Sequence, residues 1–340
     1  MIPRASILVI GALLCAVRAV EARREAATDS FTLKGAGAQA RDDGLQAASE
    51  GRFADAVPLL QRAARAPPTS TTPEKLSAAR VENSLGGALK ALGRRDEAIA
   101  AFERALALLE RAAPSDGDGS SLTAHGVKND LVVVVSNLGS VHADAGRTAQ
   151  AEALYERALR IAGASGDVEA THADEDDDDE DDVSSTAVTS AVAETLNNLA
   201  DLRHGQGRLP EARRLHERAL AIRERILGTD HVDIAASLNN VAVLLMDERK
   251  HAEALPLLER AAKLSRAAAG KAHPRHATAL ANLAGCLLSL GRHADARKHY
   301  KRSVAIHTTA LGAQHESTAA AKKGLDACDA AEQRHQRSKR

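Results

Sequence analysis

Between Leu196 and Gly312 the apolar and small residues recur at steps of three and four. Leu196, Leu199, Ala200 and Leu202 make one such set and, beyond a polar break, Ala212, Leu215, Ala219 and Leu220 make the next. That spacing gives each set one stripe of a helix and predicts two helices joined by a turn at Gly207 and Arg208. Gly228 stands where a left-handed cap ends the second helix. The whole pattern returns every 42 residues: Asn198, Asn240 and Asn282 coincide, as do Ala212, Ala254 and Ala296, then Ala219, Ala261 and Ser303, then Gly228, Gly270 and Gly312. A period of this size marks stacked supersecondary units. The small residues at 200, 212 and 219 let two helices approach closely, and a lone hairpin cannot bury its apolar face without neighbours.

Traced backwards, the pattern places turns at Gly51, Gly93, Gly146, Gly207, Arg249 and Gly291, at intervals of 42, 53, 61, 42 and 42. The two long intervals locate two insertions. The expected organisation is a leader over 1–22, a linker over 23–36, repeats one and two over 37–112, a loop insertion over 113–131 and repeat three over 132–165. An acidic, disordered insertion over 166–192 follows, then repeats four to six over 193–312, a capping helix over 313–333 and a basic tail over 334–340. The fold class is all-α, a right-handed solenoid of about six helical hairpins closed by a C-terminal capping helix.

Leu199, Ala200, Gly207, Ala212 and Ala219 carry a leucine, a small residue, a turn glycine and two alanines in an order that resembles the tetratricopeptide repeat. The 42-residue period and the connectors LGTDHVDIAASLNN and GKAHPRHATALANL are similar to the repeats of kinesin light chain. This resemblance implies that the first helices line a concave side. The residues before Ala36 show none of the heptads through which kinesin light chain joins its motor, so the resemblance covers the repeats alone.

Charge and composition alter the picture at two places. Arg4 precedes a 13-residue, largely apolar run from Ala5 to Val17, followed by small residues suited to cleavage after Ala19 or Ala22; this reads as a secretory signal peptide and an address in the secretory lumen or outside the cell. The alternatives are a membrane anchor, for which the run is short of the roughly 20 residues a bilayer span needs, or a cytoplasmic protein. The second place is DEDDDDEDD, Asp174 to Asp182. Without these nine acids the chain carries 45 basic against 37 acidic residues, a net of +8. Like charges keep such a run solvated, so the expected role is a solubilising loop; the alternatives are a weak cation site or a segment that folds back as a ligand of its own solenoid.

Chemistry finds little support. His231, His273 and His315 recur once per unit, as do His251 and His293, and so stand a whole unit apart, whereas zinc needs ligands converging within roughly 2 Å of one ion. Cys286 and Cys328 occupy equivalent places and read as buried free thiols. No nucleophile elbow, zinc-protease helix or phosphate-binding loop is present. No enzyme activity, cofactor, metal or small-molecule substrate is therefore expected. Arg62, Arg104, Arg157, Arg218, Arg260 and Arg302 form a stripe, but Glu103, Glu156, Glu217 and Glu259 alternate with it. With no Trp and five other aromatics, base stacking lacks its platform, so nucleic acid is not the expected partner.

What remains is the groove. Asn137, Asn198, Asn240 and Asn282 would stand in a row on the concave side, with Asn197, Asp201, His204, Asn239, Val243 and Met246 beside them. An amide donates and accepts together and can hold a peptide backbone irrespective of its side chains. The expected function is a non-catalytic scaffold that binds an extended peptide or protein segment there, the alternative being a kinesin-light-chain-like cargo adaptor in microtubule transport. The competing reading is that the asparagines serve only the stack. Asp42 and Asp43 occupy places where an apolar pair is expected, which predicts a weak first unit.

Overall fold

A computed structural model describes residues 37–65, 71–113, 122–164 and 183–338, and no strand occurs among them. Helix α1 covers residues 37–49. It is followed by α2 (Phe53–Ala64), α3 (Thr72–Ala91), α4 (Arg95–Glu110), α5 (Leu122–Asp144) and α6 (Thr148–Ala162). The remainder are α7 (Val183–Gly205), α8 (Leu209–Leu227), α9 (Val232–Asp247), α10 (His251–Ala269), α11 (Pro274–Ser289), α12 (His293–Leu311) and α13 (Glu316–Ser338). The chain divides into two compact units, one up to Gly146 with α1 to α5, the other from Arg147 with α6 to α13. The leader, the linker and the acidic run lie outside the described residues. No described helix is long and apolar enough to cross a membrane.

Each predicted turn closes in the left-handed region, with φ between 71° and 76° at Gly51, Gly93, Gly146, Gly207 and Gly291. Arg249 adopts the same conformation at φ 62°. Its N–H bonds to the Met246 carbonyl at 2.9 Å and that of Lys250 to Leu245 at 2.7 Å, just as Gly93 and Arg94 bond to Lys90 and Leu89. These paired bonds satisfy carbonyls that a helix end leaves open. The backbone thus imposes the turn even where glycine is missing.

The periodic histidines have a structural use. Nδ1 of His231, His273 and His315 accepts the backbone N–H of Asp233, Arg275 and Ser317 at 3.3, 3.1 and 3.2 Å. Each is the side-chain cap at the start of a first helix, satisfying one of its orphan donors. The arginine stripe is likewise engaged in stacking. Arg104 grips Glu82 through two 2.9 Å bonds, Arg218 donates to the Ala164 carbonyl at 2.7 Å, and Arg260 donates to Thr229 O at 2.8 Å and pairs with Glu224 at 2.7 Å.

Packing follows a large-over-small rule. Phe102 lies so close over Gly86 that a Cβ there would meet its ring at 2.7 Å, and a Cβ at Gly324 would likewise run into the Tyr300 ring. In the second unit one core joins α9 to α13 through Val241, Leu245, Leu258, Leu283, Leu287 and Cys328. Cys286 and Cys328 are buried free thiols. First helices of successive hairpins touch one another, α3 with α5, α9 with α11 and α11 with α13, while each second helix contacts the next first helix. Within the second unit this makes the first helices the inner side of the stack.

The structure corrects three expected boundaries. Helix α5 begins at Leu122 instead of after residue 131, α7 at Val183 instead of 193, and α13 runs on to Ser338 instead of ending at 333. The reason is local: after Ser121 and after Asp182 no proline intervenes, and only Gly126 weakens either extension, so the helix propagates backwards from its packed part. Asp42 and Asp43 are exposed. The residues equivalent to Asp43 in two other hairpins, Leu85 and Leu199, are buried.

Candidate functional site

The inner side of the second unit is built by α7, α9 and α11, and the asparagines there form a ladder. Nδ2 of Asn240 donates to Oδ1 of Asn197 at 3.1 Å, and Nδ2 of Asn282 donates to Oδ1 of Asn239 at 2.8 Å. In the first unit Nδ2 of Asn137 donates to Oδ1 of Asn83 at 3.0 Å. Every rung joins the second asparagine of one repeat to the first of the repeat before. Beyond α11 the series stops where both partners change together, at Ala281 and Gly324. The amides therefore support the stack, and the same bonds fix their orientation: each donor asparagine keeps its carbonyl oxygen and a second N–H for another partner.

Asn197 is the most connected member. Its Oδ1 lies 3.0 Å from Nδ1 of His216, and its Nδ2 donates to Asp201 at 3.4 Å. His216 is 2% exposed and its Nε2 stands 3.3 Å from Asp201 Oδ1. Nearby, Nε2 of His204 lies 2.8 Å from Oδ2 of Asp247, which links α7 to α9. Val243 and Met246 are half-buried on α9, Met246 packing against the core and toward Gly285. Asn198 is half-buried. Asn137 belongs to the first unit.

Between α9 and α11 lies a cavity of about 300 Å³, lined by Asp233, Ala235, Ala236, Asn239, Asn240, Ser265, Arg275, Thr278 and Ala279. Two groove asparagines line it. Asp233 of α9 and Arg275 of α11, both exposed, bring opposite charges to its lining. Ser265 is buried and lies 3.3 Å from Nδ1 of His276. Burial holds His276 below the ordinary histidine range, with Arg302 and Arg266 acting in the same direction; a neutral His276 avoids an uncompensated buried cation. Among the described residues no group of three or more His, Cys, Asp or Glu is arranged to hold a metal ion.

Sequence reasoning missed His216, Asp233 and Arg275. His216 was visible by register, since the equivalent positions are Leu60, Phe102, Tyr155, Leu258 and Tyr300. Asp233 and Arg275 stand two residues past the capping histidines; nothing in the one-dimensional pattern distinguishes them from connector.

Family models described as tetratricopeptide repeat match residues 191–267, 233–309 and 275–339, residues 42–117 and residues 134–164. Together they span most of the chain, which belongs to the tetratricopeptide repeat proteins. The comparison with curated proteins finds no significant match. Among solved structures, BtubC (BKLC) from P. vanneervenii is similar with a TM-score of 0.57 and 18% identity, over 82% of this chain and 93% of that one. The apo form of RapI gives 0.60 at 12% identity, over 88% and 72%. A putative kinesin light chain with nearly identical repeats from Podosopora anserina gives 0.49 at 18%, over 69% and 98%. The protein is thus an all-α tetratricopeptide solenoid, a fold that typically serves as a non-catalytic scaffold for protein–protein interaction.

Proposed function

We propose that the inner groove of the second unit binds an extended peptide segment of a partner protein, with the cavity between α9 and α11 as its principal subsite. The observation that supports this is the ladder itself. Asn239 and Asn240 are held by rungs to Asn282 and Asn197, so little side-chain freedom is lost when a peptide backbone meets their remaining amide groups. Asp233 and Arg275 favour a peptide carrying one basic and one acidic side chain in the subsite.

Because the asparagines also hold the stack, replacing them confounds binding with stability. The cleaner test changes exposed Asp233 and Arg275. A random-peptide phage library is panned on the full chain, and the enriched peptides are synthesised and titrated against Asp233→Ala and Arg275→Glu. The expected result is a loss of affinity of tenfold or more in either variant, equivalent to about 1.4 kcal/mol, with unchanged helical circular dichroism. Enriched peptides indifferent to both substitutions would place recognition elsewhere.

A further inference from the structure

Arg203 breaks the repeat. The equivalent first-helix residue is a buried leucine in three other hairpins, Leu89, Leu245 and Leu287, and Ala47 or His142 in the remaining two, and Arg203 is itself only 8% exposed. A cation at such a place has to be answered by anions. Its Nη1 lies 2.8 Å from Glu211, and its Nη2 lies 2.7 and 3.0 Å from Glu152 and Glu156. Its Nε is buried without an acceptor among the described residues. Arg208 joins the same network, 2.6 Å from Glu211 and 3.2 Å from Glu152.

A crevice of about 470 Å³ is built over this network by α6, α7 and α8, with buried Leu199 and Arg203 from α7. Its two glutamates, Glu156 and Glu211, are already engaged by Arg203 and Arg208. Arg160 of α6 and Arg214 of α8 also line it; both are exposed, and neither has a hydrogen bond or ion pair among the described residues. Four arginines thus stand against two glutamates. The corresponding crevice of the first unit, about 420 Å³ and lined by α2, α3 and α4, has Leu89 in place of Arg203 and Ala100 in place of Arg214. There two arginines meet two glutamates, so a surplus of positive charge distinguishes the second unit's crevice from the first's.

We propose that this crevice is a binding site for a carboxylate-rich peptide, and that its occupant is the chain's own acidic run, Asp174 to Asp182. Ala164 lines the crevice and is the last described residue before the run. Asp174 is ten positions further along, within a reach of roughly 33 Å for an extended chain. Nine consecutive carboxylates repel one another, and guanidinium groups relieve that repulsion while offering paired donors that match carboxylate geometry. Tethering raises the run's local concentration to the order of millimolar, so modest intrinsic affinity suffices.

The test uses the full chain and a labelled synthetic peptide of residues 172–183, followed by fluorescence anisotropy at low ionic strength. The proteins are the wild type, a chain in which the acids from Asp174 to Asp182 are changed to their amides, and that chain with Arg160→Gln and Arg214→Gln added. Arg160 and Arg214 are exposed, so the fold should survive, and circular dichroism checks it. The amide chain is expected to bind the peptide, the wild type roughly tenfold more weakly because its tethered run competes at millimolar local concentration, and the arginine variant not measurably. Equal affinity for wild type and amide chain would overturn occupancy by the run and leave an acidic partner in trans as the occupant. No binding to the amide chain, or binding indifferent to Arg160 and Arg214, would overturn the site itself.

Discussion

Removing one rung of the asparagine ladder measures what the ladder contributes. The perturbation is Asn282→Ala and Asn239→Ala, made singly and together. The bond between them is 2.8 Å long and half-buried, and such a bond contributes about 0.5–1.5 kcal/mol net. Each single change removes the bond and leaves the other partner half-buried and unanswered, so each costs about 1 kcal/mol or somewhat more. The double change removes the same bond only once, so the two costs should not add, and the coupling should be near 1 kcal/mol. Urea unfolding followed by circular dichroism gives the free energies, and hydrogen exchange in α9 and α11 guards against the units of a stack opening separately. The Asn240 and Asn197 pair, at 3.1 Å, should couple similarly. Asn197→Ala alone should cost more than Asn239→Ala, because it also releases His216 and Asp201. Coupling below about 0.3 kcal/mol in both pairs, the margin within which independent sites add, would refute the ladder as a structural element.

Other expectations follow from individual residues. Arg249→Gly removes a left-handed non-glycine residue at φ 62° and should stabilise the second unit by about 1 kcal/mol; an unchanged or lower melting temperature would contradict this. Gly86→Ala would drive a Cβ to 2.7 Å from the Phe102 ring and should cost about 1–3 kcal/mol, whereas Gly87→Ala, with nothing within 4 Å, should gain about 0.5–1 kcal/mol. Identical behaviour of the two would show that the close approach to Phe102 is not a constraint. Burial holds His276 and His307 below the histidine range, helped by Arg302 and Arg266 at the first and by His315 at the second. The unfolded chain then takes up those protons more readily, so this stability is complete above the unfolded value of about 6.5 and is lost as pH falls below it. Melting temperatures should drop from about pH 7 to about pH 5, and His276→Gln with His307→Gln should lessen the drop; an equal drop would exclude these groups as its cause.

The hairpins, their turns and the asparagine row were legible because a repeat states each structural requirement several times over. Arg249 could be placed as a turn residue only because five glycines fix that position elsewhere. What was not legible lay outside the repeat or within single copies of it. The early starts of α5 and α7 depend on how far a packed helix propagates into a sequence that neither favours nor forbids it. Asp43 seemed misplaced because register assigns it a buried face, and only the structure shows it to be exposed. The capping role of His231, His273 and His315 needed geometry, since histidine is not among the usual capping residues. His216 and Arg203 were available as departures from register, yet their meaning required partners brought in from α6, α7 and α8.

Hydrogen exchange of the full chain, with and without a peptide enriched by panning, tests the groove most directly. Peptide binding to the inner face predicts slowed exchange in α9 and α11, centred on Asp233 to Asn240 and Arg275 to Asn282, with α8, α10 and α12 little changed. Protection confined to the second helices, or none under saturating peptide, would contradict it.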